Sequence, residues 1–270
     1  MSIVWAKSTG ISLCKHVTDL VQVLEDLEKF LEKYPFWQEF QLQALLRDAV
    51  FCHDFGKVQP AFQIKLGNKG YHPNFFSEIP HSLASLFFLN WETLNERIGK
   101  ERIPFFLSAV AFHHFRGDFL EYLGAENARL RQFCLRLLED KIWREKLLEN
   151  LSCTLSNCQG LQELLGFNEK FARAIVNGLS LSDFVLLPYL LEGFPLRIAF
   201  PKERERFFIL LSGFLKRCDH FASFCEGEDQ YFPPEREGLA KEKLWRMLTE
   251  KLKEQIRTET LWQEEYLQGW

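Results

Sequence analysis

Ala49-Val50-Phe51-Cys52-His53-Asp54-Phe55-Gly56-Lys57 closes an apolar stretch on an imidazole, a carboxylate and a glycine turn. Imidazole and carboxylate are the side chains that bind borderline divalent metals. A His-Asp pair alone says little, because such dipeptides occur by chance. Its neighbours along the chain give it weight. His16 precedes it, and His81, the pair His113-His114 and Asp219 follow, so five of the seven histidines fall into one series. Each member borders an apolar run: His81 opens residues 82–91, His113-His114 ends 103–112, Asp219 ends 207–218, and His16 opens a fourth run. Buried imidazoles and carboxylates are costly unless they are paired or bound to metal. A series spread over about 200 residues suits a helical fold that turns several helices toward one metal centre.

The periodicity around these donors is helical. Residues 12–34 carry Val17, Leu20, Val21, Leu24, Leu27, Phe30 and Leu31 at spacings of three and four, and Pro35 ends the pattern. Residues 36–55 read as a second helix stopped by Gly56. Residues 60–65 read as a short helix and 67–80 as a loop. Pro80 starts a helix carrying His81, and 103–115 form another. Residues 119–151 continue as a charged helix, 152–199 hold short apolar pieces broken by Gly and Pro, and 202–224 form the last core helix. Convincing strand alternation and internal repeats are absent. The expected fold is all-α, a helical bundle with the metal centre between its core helices. It comprises a domain over 1–225 with a helical insertion at about 120–200. A polar, Pro-rich break at 226–234 leads into a charged helical C-terminal extension or connector over 226–270, which packs on the core or docks a partner.

At 270 residues, with 27 Phe, the chain can bury one sizeable core. A net charge of −4 excludes a generally basic nucleic-acid coat protein, but not an enzyme with a local basic groove. The seven cysteines form no C-x-x-C pair. Cys14, Cys52 and Cys218 lie near proposed ligands and read as small apolar neighbours rather than ligands. Such usage suits a reducing cytoplasm, and no run reaches membrane-spanning length without a charge or a break. A cytoplasmic protein is expected.

His53 and Asp54 are adjacent, so on a helix they diverge by about 100°. A carboxylate has two oxygens, and Asp54 can bridge. One site then takes His16, His53, Asp54 and Asp219, and the other takes His81, His113, His114 and Asp54. Two metals about 3.5–4 Å apart activate a water and stabilise the leaving oxygen of a phosphodiester. A mononuclear centre, with the histidine trio on phosphate, is the alternative. Lys57 follows one turn on, where its ammonium can meet a phosphate or neutralise the helix end. Arg116 and Lys7 are further phosphate candidates, and Ser223, one turn after Asp219, can hydrogen-bond to ligand or substrate.

These residues resemble the HD metal-dependent phosphohydrolases, and more narrowly the HD nuclease of type I CRISPR interference. The resemblance spans residues 3–225. It rests on Trp5-Ala6-Lys7-Ser8 with Leu13 and His16; on His53-Asp54-Phe55-Gly56-Lys57 followed by Pro60-Ala61-Phe62-Gln63; and on His81, His113-His114 and Asp219 with Ser223 in the family's order. It implies a DNA nuclease dependent on one or two divalent ions, with Asp54 and Lys57 at the reacting centre. Its single-stranded DNA is exposed by a guide-RNA surveillance complex and fed by a separate or fused helicase. The implied metals are manganese, nickel, cobalt or iron, with magnesium less suited to a histidine-rich shell. No G-x-x-x-x-G-K-[ST] occurs, so no ATP motor is encoded in these residues. The rival on the same fold is a nucleotide or cyclic-dinucleotide phosphohydrolase; the latter group carries Gly-Tyr-Pro after its His pair, where this chain has Phe115-Arg116-Gly117-Asp118. A second rival is a non-catalytic subunit holding a structural metal.

Overall fold

Ser12 opens the first helix by accepting a hydrogen bond from the backbone N–H of Lys15, and α1 then runs over Leu13–Leu31. Its Val17, Leu20, Leu24, Leu27 and Leu31 are buried, as their spacing predicts. The computed structural model describes residues 2–33, 37–38, 42–71, 79–114, 121–124, 127–156, 158, 161–184, 202–226 and 250. Among them the architecture is all-α: the only β pairing is the isolated bridges Trp5–Ser12 and Leu89–Leu165. No helix among the described residues is long and apolar enough to cross a membrane.

Four helices form the core: α1, α2 (Leu42–Cys52), α6 (Ile103–Phe112) and α10 (Lys202–Cys225), each packed on the others or sharing a neighbour with them. α2 buries Leu42, Leu45, Leu46, Ala49, Val50, Phe51 and Cys52, and α6 buries every residue from Phe105 to Phe112. α6, apolar on all sides, belongs in the middle of the bundle. Between α2 and α6 the chain forms a 3-10 turn at Phe55–Val58, then α3 (Pro60–Lys65), α4 (His81–Ser85) and α5 (Trp91–Ile98).

A second layer contains α7 (Ala128–Glu139), α8 (Lys141–Leu155) and α9 (Glu169–Val176). The helix expected over 119–151 is in fact two. Asp140 breaks it by accepting from the backbone N–H of Trp143 (2.9 Å), which makes it the N-cap of α8. α7 packs on α9, and Phe171 of α9 stacks on Phe87 with ring centroids 4.6 Å apart. α8 packs on α1, and Cys14 is joined to Cys158 by a disulfide. Cys14 is therefore not the simple apolar neighbour its sequence context suggests; its partner lies 144 residues away, where no local pattern announces it. Cys52 and Cys218 are free and buried, as expected. Of the expected C-terminal extension, Glu226 and Glu250 alone are among the described residues.

Candidate metal centre

Each core helix delivers its donors near an end or at a turn. His16 lies in the opening turns of α1, His53-Asp54 in the turn after α2, His113-His114 just past α6, and Asp219 in α10. The helix expected over 36–55 stops at Cys52, and this frees Asp54 (φ −105°, ψ 6°) to turn both oxygens inward. His81 opens α4, which lies directly on the Phe55–Val58 turn. Gly56 permits that approach: a Cβ there would stand 1.9 Å from the His81 carbonyl oxygen. Ser85 fastens the contact. Its Oγ accepts from the Gly56 N–H (2.8 Å) and lies 2.7 Å from the His53 carbonyl oxygen.

All seven residues expected as ligands meet in one place. Asp54 Oδ2 lies 3.4 Å from His16 Nε2 and 3.3 Å from His53 Nε2. Asp54 Oδ1 lies 3.3 Å from His81 Nε2 and 3.7 Å from His113 Nε2. Asp219 is 3.2 Å from His16 through Oδ1 and 3.2 Å from His114 through Oδ2. His16, His53 and Asp219 form one group able to hold a cation, His81, His113 and His114 a second, and His53, Asp54 and His113 a third that overlaps them. The ring nitrogens His53 Nε2, His81 Nε2 and His113 Nε2, with Asp54 Oδ1 and Asp219 Oδ2, are buried without a hydrogen-bond partner. Buried polar atoms are ordinarily satisfied. A set of them converging from several helices fits divalent metal, and the imidazole-rich donor set suits a transition ion.

The electrostatics divide the centre. Burial depresses an imidazole, but the carboxylates of Asp219, Asp54 and Glu226 outweigh it and push His16 up to about 10. His53 is raised too, against its burial, by Asp54 and Asp219. Burial prevails at the other histidines: His81 is pushed down to about 4, and His113 and His114 are also lowered. Burial disfavours ionised carboxylates, yet His53, Lys57 and the other histidines hold Asp54 well below the usual range. The neighbouring histidines, His16 foremost, do the same for Asp219. Burial pushes the Cys218 thiol up to about 12, with Asp219 adding to the effect, so it stays protonated beside the site.

The candidate substrate residues sit deeper than expected. Lys57 is buried, its Nζ 2.6 Å from Asp54 Oδ2 and donating to the Ala6 carbonyl (3.2 Å). Lys7 is buried as well and donates to Ser223 Oγ (2.5 Å), which in turn reaches Asp219 Oδ1 (3.4 Å). Arg116 lies outside the described residues. Gln63 binds the N-terminal segment to the motif: its Oε1 accepts from Trp5 N–H (2.9 Å), and its Nε2 donates to the carbonyls of Trp5 and Lys57. Sequence reasoning missed Glu226, whose carboxylate holds His16 Nδ1 at 2.8 and 3.0 Å. The available signal was spacing: Asp219, Ser223 and Glu226 stand at i, i+4 and i+7, one face of a helix.

Residues 5–226 match the family described as Cas3, HD domain. No curated protein and no solved structure matches the chain.

Proposed function

From the premise that the chain belongs to the Cas3 HD-domain family, we propose that it is a metal-dependent nuclease that cuts single-stranded DNA during CRISPR interference. The observation that carries this reading is the division of Asp54, whose two oxygens face different histidines across a buried centre. His16, His53, Asp54 and Asp219 would hold a divalent ion on one side, and His81, His113, His114 and Asp54 on the other. A divalent cation bound there supplies Lewis acidity, drawing charge from a phosphoryl oxygen and making water a stronger acid. The chain's own residues do the rest. Asp54 orients both donor groups, and Lys57 offsets its charge where a phosphate would arrive. Ser223, itself bonded by Lys7, adds a long contact to Asp219. His81 and His114, the partly exposed donors, face the approach of substrate. A helicase, separate or fused, and a guide-RNA surveillance complex would present the strand.

The test is cleavage of a labelled circular single-stranded DNA with manganese, nickel, magnesium or EDTA, beside the Asp54→Ala variant. Metal-dependent cutting that the variant loses is expected. Undiminished cutting by Asp54→Ala overturns the reading, as does turnover of a mononucleotide or cyclic dinucleotide with none of the DNA.

A further inference from the structure

His53 and His113 are oriented locally. Each places Nδ1 against the backbone carbonyl three residues earlier, Val50 at 2.7 Å and Val110 at 2.6 Å. A helix end supplies such an acceptor without help from elsewhere. His16 is held differently. Its Nδ1 lies between both oxygens of Glu226, 210 residues away, while its Nε2 faces Asp54 and Asp219. Both side chains are almost completely buried, and among the described residues the only ion pair of Glu226 is with His16. The Glu226 N–H meets the Ala222 carbonyl at 3.0 Å, so this carboxylate is fixed by the end of α10 on the face that carries Asp219 and Ser223. A carboxylate acceptor binds a ring N–H more strongly than a neutral carbonyl does. It also fixes the tautomer and makes the opposite nitrogen a better donor to metal.

We propose that Glu226 is a positioning residue for the metal centre, acting through His16 to set how tightly the His16–His53–Asp219 group holds a divalent cation. This rests on the reading of the cluster as a metal centre. Among the described residues the Glu226 carboxylate meets the centre through the His16 ring, and its effect on the metal is carried by that ring. The arrangement makes the two histidine classes unequal: those served by backbone carbonyls keep their geometry in any variant that folds, whereas His16 depends on one distant side chain.

The experiment is calorimetric titration of the metal-free full chain with manganese. Glu226→Ala should weaken binding by about 10–100-fold, the usual effect of losing an outer partner of a ligand histidine. Glu226→Gln, which still accepts the Nδ1 proton but carries no charge, should fall between it and wild type. In a His16→Ala background, removal of Glu226 should cost nothing further. Equal loss in both backgrounds would mark Glu226 as a general structural residue and overturn the proposal, as would wild-type affinity in Glu226→Ala. If the wild type itself takes up no manganese, the reading of the cluster as a metal centre fails first. A second measurement is independent of affinity: long-range proton–nitrogen spectra of the zinc-loaded protein. His16 should carry its proton on Nδ1 in wild type and Glu226→Gln, and should lose that protected proton in Glu226→Ala.

Discussion

The two sides of Asp54 contain the same side chain in opposite conditions. On the Oδ2 side, His16 and His53 are closed off from solvent among Asp54, Asp219 and Glu226, with Lys57 beside them, and both bind protons more readily than a free imidazole. On the Oδ1 side, His81, His113 and His114 have fewer carboxylates near them and bind protons less readily. The side chains of His81 and His114 are 16% and 24% exposed, against 0% for His16 and His53. In the metal-free protein, then, the closed side favours protons, His16 foremost, which balance buried carboxylates. The open side presents neutral nitrogens where His81 and His114 are partly exposed among the described residues. Charge balance thus falls to one side and access to the other, with Asp54 touching two histidines on each side and Asp219 reaching His16 on one and His114 on the other.

Asp54 should therefore be the least replaceable residue, since its loss undoes both sides at once. Asp54→Asn keeps the shape and removes the charge, and cleavage should fall by about 1,000-fold or more, a scale reached by groups that act directly on developing charge. The measurement is single-turnover cutting by a variant whose circular dichroism matches wild type. Activity within tenfold of wild type would show that the two sides do not depend on this carboxylate.

Histidines on the two sides should then differ in how they answer pH. A metal must displace any proton from its ligand. His16, pushed up to about 10, is protonated in the metal-free protein at pH 7, and His53 is raised in the same direction; His81, at about 4, is already neutral. Manganese affinity should rise from pH 6 to pH 9, by up to about tenfold per unit for each proton released. Titrations in buffers of different ionisation enthalpy count those protons. His16→Ala should lower the count, and His81→Ala should leave it unchanged. Flat affinity over that range would refute the division. For stability of the metal-free chain the sign is opposite. The raised pKa of His16 favours the folded state fully below its ordinary value of 6.5, and that contribution fades as pH rises toward 10. Asp54 and Asp219, held low, contribute above the ordinary carboxylate value and lose their contribution on acidification.

The histidines and aspartates of the closed and open sides are equally legible in the sequence. Metal donors at helix ends interrupt apolar runs, and an imidazole or carboxylate bordering such a run is conspicuous. Outer partners are not. Glu226 stands at the edge of a charge-rich stretch, where one more carboxylate reads as solvated, and only its i+7 relation to Asp219 marks it. Asp140 was overlooked for a similar reason: between Glu139 and Lys141 it looks like part of a charged helix face, yet its carboxylate ends one helix and caps the next. The Cys14–Cys158 pairing depends on how α8 settles against α1, a tertiary fact with no local signature. The burial of Lys7 and Lys57 has no local signature either, because it follows from the hydroxyl and the carboxylate that meet them in space.

Lys57 and Ser223 test how far these supports reach, and both effects should be smaller. Lys57 touches Asp54 itself, so Lys57→Met should cost about 100-fold in cutting, the low end of what loss of one aligned electrostatic partner costs. Ser223→Ala is the gentlest change. The hydroxyl's contact with Asp219 is long, 3.4 Å, and Asp219 keeps His16 and His114 at 3.2 Å on its two oxygens. Its shorter bond is with Lys7, at 2.5 Å. Removing the hydroxyl thus leaves Asp219 oriented and takes one acceptor from a buried ammonium. The outcome should be a modest loss of thermal stability and less than about a tenfold loss of manganese affinity, below the effect of an outer partner that contacts a ligand squarely. Cutting measured at saturating manganese separates the two roles open to this hydroxyl. If cleavage recovers when metal is saturating, Ser223 serves Asp219 and Lys7 alone. If cleavage stays as low as in Lys57→Met with the metal fully bound, the hydroxyl itself contacts the strand, and the approach to the centre extends past Asp219 onto the closed side.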